Sequence, residues 1–186
     1  MNGNNFCAYT KDVCADPQGG SITDAFFIYP SEPAVIAETI RNGVSTARKR
    51  SSLTLSCWED LGIAGQNIFC EVCKAISASK LVVANITTLN FNVMFELGFA
   101  IGKGKPVIPV RDVTYTRDKE LFEQLGIFDV VGYEEFQGGE QLVQIATRLD
   151  EARPIKLSPT IPSRVEPTYI VRCPYNLDAG ARLVAA

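Results

Sequence analysis

Apolar residues in the first 150 positions fall into short runs separated by longer stretches of helical periodicity. Short apolar runs are typical of strands buried on both faces of a sheet. Five such runs predict strands at 25–29, 53–57, 81–86, 106–110 and 127–131. The intervening stretches predict helices at 34–48, 66–79, 91–102, 117–125 and 137–151.

Strands that alternate with helices favour a parallel sheet covered on both faces, with right-handed crossovers. We therefore predict an α/β fold, namely a flavodoxin-like, doubly wound, five-stranded parallel sheet in the order 2-1-3-4-5. In such sheets, ligands bind outside the carboxyl ends of the strands, where strands 1 and 3 diverge. The loops expected to border this position begin at Tyr29, Cys57 and Ile86. Pro106 and Pro109 predict that the fourth strand lies nearer an edge or meets loops at both ends.

The composition changes on either side of this alternating region. Residues 1–23 are rich in Asn, Asp, Gly and Cys and indicate an irregular arm, which leaves 24–152 as the α/β domain. Residues 153–167 are proline-rich and indicate a linker. Residues 168–186 repeat the order of strand, proline loop and helix start. They are interpreted either as the opening of a second, similar module or as a sixth strand of the same sheet.

Length and charge narrow the class of protein. The chain has 186 residues, which suits one domain, and a net charge of -3, which argues against a nucleic-acid surface. Its basic run at 48–50 is interpreted as the cationic end of a helix. The polar N-terminus and the lack of a long uncharged apolar run predict a cytoplasmic protein without membrane contact.

Cysteine and histidine usage limits the chemistry. There are six cysteines and no histidine. Cys7, Cys14, Cys70 and Cys73 could in principle make a four-cysteine zinc site, but we interpret them as core or loop thiols and expect no metal. Without histidine, carboxylates are the natural catalytic groups.

The helix predicted at 91–102 carries the leading candidate. Glu96 is its only charged residue, and no Lys or Arg lies three or four positions away. A helix that is apolar nearly all round is buried, and a buried carboxylate needs partners. Glu96 must therefore line a cleft or find tertiary contacts, and Asn92, one turn earlier, could hold it. The alternative is a glutamate at the rim of a core helix, bonded to a backbone amide.

Three stretches together resemble the nucleoside 2-deoxyribosyltransferase-like superfamily, and more closely its TIR-like, nucleotide-binding bacterial members. They are Lys80–Thr87, Asn90–Ala100 and Gly104–Ile108, and the first strand with its loop, Phe26–Ser31, also fits. The resemblance covers about 25–131.

The resemblance implies that Glu96 is a nucleophile that attacks the anomeric carbon of a nucleoside, nucleotide or NAD, without a cofactor. It makes Tyr29 a partner for that carboxylate. It implies substrate-binding roles for Ser31, Thr87, Asn90 and Asn92. Because TIR-like domains often act as oligomers, it also implies a homo-oligomer.

The sequence departs from the family at the position six residues before the nucleophile. The enzymes carry an acid there, used in handling the base, and this chain has Asn90. Asp60, after the second strand, is the remaining candidate acid, although it could be a turn residue. In the same loop Gly62 and Gly65 could allow a ligand close to the backbone. We thus expect cleavage of an N-glycosidic bond or, alternatively, a nucleotide-sensing or oligomerisation module without turnover.

Overall fold

In the computed structural model the described residues are 22–62, 68–117, 120 and 132–149. They form one five-stranded, all-parallel sheet. Its strands are β1 (Ala25–Ile28), β2 (Leu55–Cys57), β3 (Leu81–Asn85), β4 (Val107–Asp112) and β5 (Glu134–Phe136). The spatial order is β2-β1-β3-β4-β5, which confirms the predicted α/β, flavodoxin-like architecture.

Four α-helices cover the sheet within the described residues. They are α1 (Ala34–Arg50), α2 (Ile68–Ala78), α3 (Phe91–Gly102) and α4 (Gly138–Thr147). Side chains alternate across each strand, so Phe27 and Val83 pack with α1 and α4, whereas Phe26 and Val82 pack with α2 and α3. The core is therefore two apolar layers, one on each face of the sheet.

The fifth strand differs from its predicted position. The predicted strand, 127–131, lies outside the described residues, and the strand that pairs with β4 is Glu134–Phe136. At this edge only Phe136 is buried, and both glutamates are exposed. A three-residue edge strand with one buried side chain has no apolar run, so the hydrophobic pattern did not indicate it.

The prolines of the fourth strand follow the prediction that it lies near an edge. The carbonyls of Pro106 and Val110 accept hydrogen bonds from β3, so the intervening odd positions face β5. Pairing with β5 begins only at Val110, opposite Glu134. Pro109, which has no amide proton, therefore leaves no ladder bond unmade.

Several predicted segments lie outside the described residues. These include most of the arm at 1–23, most of the helix at 117–125, the linker at 153–167 and the segment at 168–186. Within the described part of the chain, no helix has the length and apolarity that crossing a bilayer would require.

Candidate functional site

A cleft of about 530 Å³ opens at the carboxyl edge of the sheet. Three loops contribute its described lining, and these loops follow β1, β3 and β4. The lining residues are Glu32, Pro33, Thr88, Leu89, Asn90, Tyr115 and Arg117. Two of the three loops are those that the sheet topology predicted, because β1 and β3 diverge there. The third loop, after β4, was not anticipated.

The carboxyl end of β3 carries the two buried side-chain atoms of the described residues that lack a hydrogen-bond partner. They are Asn85 Nδ2 and Thr88 Oγ1. Asn85 is 1% exposed and Thr88 is 8% exposed. Buried polar groups are almost always paired in native proteins, so two unpaired atoms in one four-residue segment beside a cleft point to a binding position.

Thr87, predicted to bind substrate, has a structural role in this segment. Its hydroxyl accepts a hydrogen bond of 2.8 Å from the Asp112 amide, and its own amide donates to Asn85 Oδ1 at 3.2 Å. The residue is 3% exposed. Thr87 therefore joins the ends of β3 and β4 and positions the loops that line the cleft.

Asn90 caps α3 and also lines the cleft. Its Oδ1 accepts hydrogen bonds from the amides of Asn92 (3.0 Å) and Val93 (3.3 Å). This is the usual N-cap arrangement, and it commits the side-chain oxygen to the helix. Asn90 thus joins the lining of the cleft to the positive end of the α3 dipole.

Glu96 lies in the second turn of α3 and is partly buried. Desolvation by burial raises the pKa of its carboxyl to about 7. No described residue makes a hydrogen bond or ion pair with this carboxyl. The predicted contact from Asn92 is absent among these residues, and Asn92 is exposed. The alternative of a carboxylate bonded to a backbone amide is not seen either. Glu96 is therefore an uncompensated carboxyl in apolar surroundings, which is characteristic of functional sites.

The predicted pairing of Tyr29 with Glu96 is wrong. Tyr29 extends the alternation of β1 and packs in the layer of α1 and α4, whereas α3 covers the opposite face. Its phenol donates to Glu59, which also accepts from Arg41 at 3.0 Å. Burial, and secondarily the Glu59 hydrogen bond, raise the pKa of Tyr29 above its usual range. Tyr29 therefore anchors the loop after β2.

Asp60 also has a structural role. Its carboxylate accepts hydrogen bonds from Arg48 and, at 2.7 Å, from the Cys57 amide. Burial would raise the pKa of Asp60, but these bonds outweigh it and hold the pKa below its usual value. Such a group stays ionised at neutral pH and does not supply a proton, so the turn interpretation describes it better than the acid interpretation.

The other predicted site residues are peripheral to the described cleft. Ser31 and Asn92 are exposed and do not belong to its described lining. Gly65 lies outside the described residues, and Gly62 is exposed. Sequence reasoning identified Asn90 and missed the other six described lining residues, Glu32, Pro33, Thr88, Leu89, Tyr115 and Arg117. Their common signal is position just after a strand of the sheet.

The described cysteines are Cys57, Cys70 and Cys73, and all three are free thiols. Burial raises the pKa of Cys57 to about 12, so this thiol is unreactive at neutral pH. Cys70 and Cys73 lie on α2, and no group of three or more metal-binding side chains occurs in the described part of the chain. Cys7 and Cys14 lie outside it.

Comparison with known proteins adds no family to this description. No protein-family model matches the chain, and no curated protein matches it. The fold and the cleft therefore define the class of protein: a flavodoxin-like α/β domain with a polar cleft at the carboxyl edge of its sheet.

Proposed function

We propose that this domain binds a nucleoside, a nucleotide or NAD in the cleft and cleaves its N-glycosidic bond, with Glu96 as the nucleophile. The observation that carries the proposal is the state of Glu96. Its carboxyl is desolvated, has no partner among the described residues and lies on the helix whose cap lines the cleft.

The cleft suits a ligand of this size and polarity. Its volume of about 530 Å³ falls within the range of roughly 300–1,000 Å³ typical of small-molecule sites. The α3 N-terminus and Arg117 favour a phosphate at one side. The carboxylate of Glu32 favours sugar hydroxyls, and the unpaired hydroxyl of Thr88, a lining residue, offers a further hydrogen bond.

The reaction follows from the chemistry of a carboxylate. As the bond from the anomeric carbon to the base breaks, its electron pair leaves with the base and positive charge develops on the sugar. The Glu96 carboxylate traps this carbon, and water then hydrolyses the ester, as in retaining glycosidases. The attacking form is ionised, so the rate should rise with pH through about 7, the pKa of Glu96.

The presence of Asn90, which cannot donate a proton as an acid, makes NAD a better substrate candidate than an ordinary nucleoside. A neutral base leaves readily only when an acid protonates it, and Asn90, with its oxygen committed to the α3 cap, is no acid. The nicotinamide of NAD already carries a positive charge on its glycosidic nitrogen. It leaves as a neutral molecule and needs no proton.

A nucleotide sensor without turnover is the second candidate, and one observation favours it. Glu96 is not among the described lining of the cleft. It is six residues beyond the cap Asn90, which corresponds to about 9 Å along the helix axis. Binding at the α3 N-terminus would then leave Glu96 away from the reacting carbon.

The test is to incubate the full chain with NAD and with a panel of nucleosides and to monitor the released base by chromatography. We expect nicotinamide release from NAD, and Glu96→Gln should lower it by on the order of 10³-fold or more. Glu38→Gln, on the exposed side of α1, is the matched control and should leave the rate unchanged.

A second variant tests the cleft that both candidates share. Thr88→Val keeps the size of the side chain but removes the hydroxyl, and it should weaken binding of NAD measured by calorimetry. If wild-type protein binds NAD without releasing nicotinamide, the sensor is correct and the enzyme proposal fails. If neither NAD nor any nucleoside binds, both fail.

A further inference from the structure

The solvent side of α3 carries an uncharged stripe, consisting of Phe91, Phe95, Gly98 and Gly102, all exposed. Their spacings of four, three and four residues place them on one face of the helix. Phe91 is 90% exposed and Phe95 is 49% exposed, which is unusual for large apolar side chains. Phe95 packs against Phe69 of α2 with ring centroids 5.0 Å apart, so its ring is held in place.

Neither Gly98 nor Gly102 packs closely against another described residue of its own chain. A Cβ atom built at Gly98 or Gly102 meets nothing within 4 Å, and neither residue has a positive φ. Glycine inside a helix lowers its stability relative to alanine. Two such residues on an exposed face are therefore better explained by a close approach from outside the chain.

The stripe is complementary to itself in one arrangement. When two α3 helices pack antiparallel, with a two-fold axis between Glu96 and Leu97, Phe91 lies opposite Gly102 of the second copy. The same axis places Phe95 opposite Gly98. Each ring then meets a position that lacks a side chain. We propose that α3 is the contact surface of a two-fold symmetric homodimer, in which the phenylalanines of each copy pack on the glycines of the other.

The charges of α3 agree with pairing of identical copies. In this register Glu96 and Leu97 lie off the stripe, Leu97 being buried in its own core, and Lys103, just after the helix, lies level with Asn90 of the second copy. No charge therefore meets its own equivalent, which is the usual obstacle to a two-fold contact. An unrelated partner would need no such relation between the two halves of the stripe.

The available area indicates a weak dimer. A phenylalanine buries roughly 150–250 Å², so the exposed parts of the two rings amount to about 300 Å² per copy. With the glycine turns and flanking residues of both copies, total burial is on the order of 1,000 Å², the lower end of specific interfaces. We therefore expect a reversible, concentration-dependent dimer.

The experiment is sedimentation velocity of the full chain over a concentration series. Wild type should change from monomer to dimer as the concentration rises. Phe91→Ser and Gly98→Leu should each raise the dissociation constant at least tenfold. Val35→Ser removes another exposed apolar side chain, 58% exposed on α1, and should leave dimerisation unchanged.

Thermal denaturation at dilute concentration serves as the control that each variant is folded. Gly98→Leu fills open space and replaces a helical glycine, so its melting temperature should equal or exceed that of wild type. The register is tested by oxidative cross-linking of Phe91→Cys/Gly102→Cys, which should form dimers that neither single variant forms.

Three outcomes would overturn the proposal. One is a protein that stays monomeric at every concentration, which is also the result expected if another segment of the same chain covers Phe91. Another is a dimer that survives both Phe91→Ser and Gly98→Leu. The third is an equal loss of dimer in Val35→Ser. None of these readouts depends on nucleotide binding or on activity.

Discussion

Glu96 illustrates how surroundings alone set the state of one residue. Its helix neighbours are almost all apolar, and no described residue donates to its carboxylate. No interaction offsets the desolvation of the carboxyl, which therefore raises the pKa of Glu96 to about 7. Near neutral pH the group is divided between its acid and its ionised form.

This pKa predicts how stability varies with pH. The folded-state pKa of Glu96 lies above the unfolded value of about 4.3, so the folded chain binds its proton more tightly than the unfolded chain. The stabilisation is complete below the unfolded pKa and is lost as pH rises through about 7. In Glu96→Gln this loss is absent, so the variant should gain about 1–3 kcal/mol relative to wild type between pH 5 and pH 8.

Urea denaturation at several pH values measures this difference. Glu38→Gln on exposed α1 serves as the comparison and should track wild type at every pH. A constant difference between Glu96→Gln and wild type from pH 5 to pH 8 would show that the carboxyl is not desolvated.

At the scale of the element, α3 depends on its cap. Asn90 is the only side chain that accepts from the first amides of the helix among the described residues. We predict that Asn90→Ala lowers the free energy of unfolding by about 1 kcal/mol and that Asn90→Asp retains it. Asn92→Ala is the matched control, since that side chain is exposed and only its backbone amide bonds to Asn90.

Thermal melts of Asn90→Ala, Asn90→Asp and Asn92→Ala compare their stabilities. Equal melting temperatures for Asn90→Ala and Asn92→Ala would mean that the cap contributes nothing. If Asn90→Asp also increases activity towards nucleosides, the missing acid is the reason for a preference for NAD.

The elements differ in how well the sequence predicts them. Helix α3 matches its predicted bounds of 91–102 because a cap precedes it and Gly102–Gly104 ends it. Strands buried on both faces give apolar runs, so β1 and β3 agree within one residue. The edge strand β5 has one buried side chain and gave no such signal.

The site was less predictable than the fold because it depends on contacts between distant segments. Topology alone located the cleft beside the loops after β1 and β3. Whether Tyr29 meets Glu96 or Glu59 depends on which face of the sheet Tyr29 packs on. The predicted pairing with Glu96 ignored the alternation of side chains along β1. Thr88 and Arg117 line the same cleft although 29 positions separate them in the chain, a relation that no local pattern records.

At the scale of the whole molecule, glycines in the two helical layers have different surroundings. On one face α1 and α4 approach closely at Gly43, where an added Cβ would lie 2.6 Å from Leu142 Cδ2. Leu142 is fully buried. On the other face, Gly98 of α3 looks into open space. The same residue type therefore serves close packing within the chain at one site and leaves an exposed surface at the other.

This contrast predicts opposite effects of one substitution. Gly43→Ala gains about 1 kcal/mol of helix propensity but forces an overlap that typically costs about 1–3 kcal/mol, so we expect net destabilisation of up to about 2 kcal/mol. Gly98→Ala gains the propensity without the overlap and should stabilise the monomer by about 0.5–1 kcal/mol. Urea denaturation at dilute concentration measures both. Destabilisation by Gly98→Ala would mean that the outer face of α3 is already covered in the monomer, whereas a stable Gly43→Ala would mean that the α1–α4 layer can separate without loss.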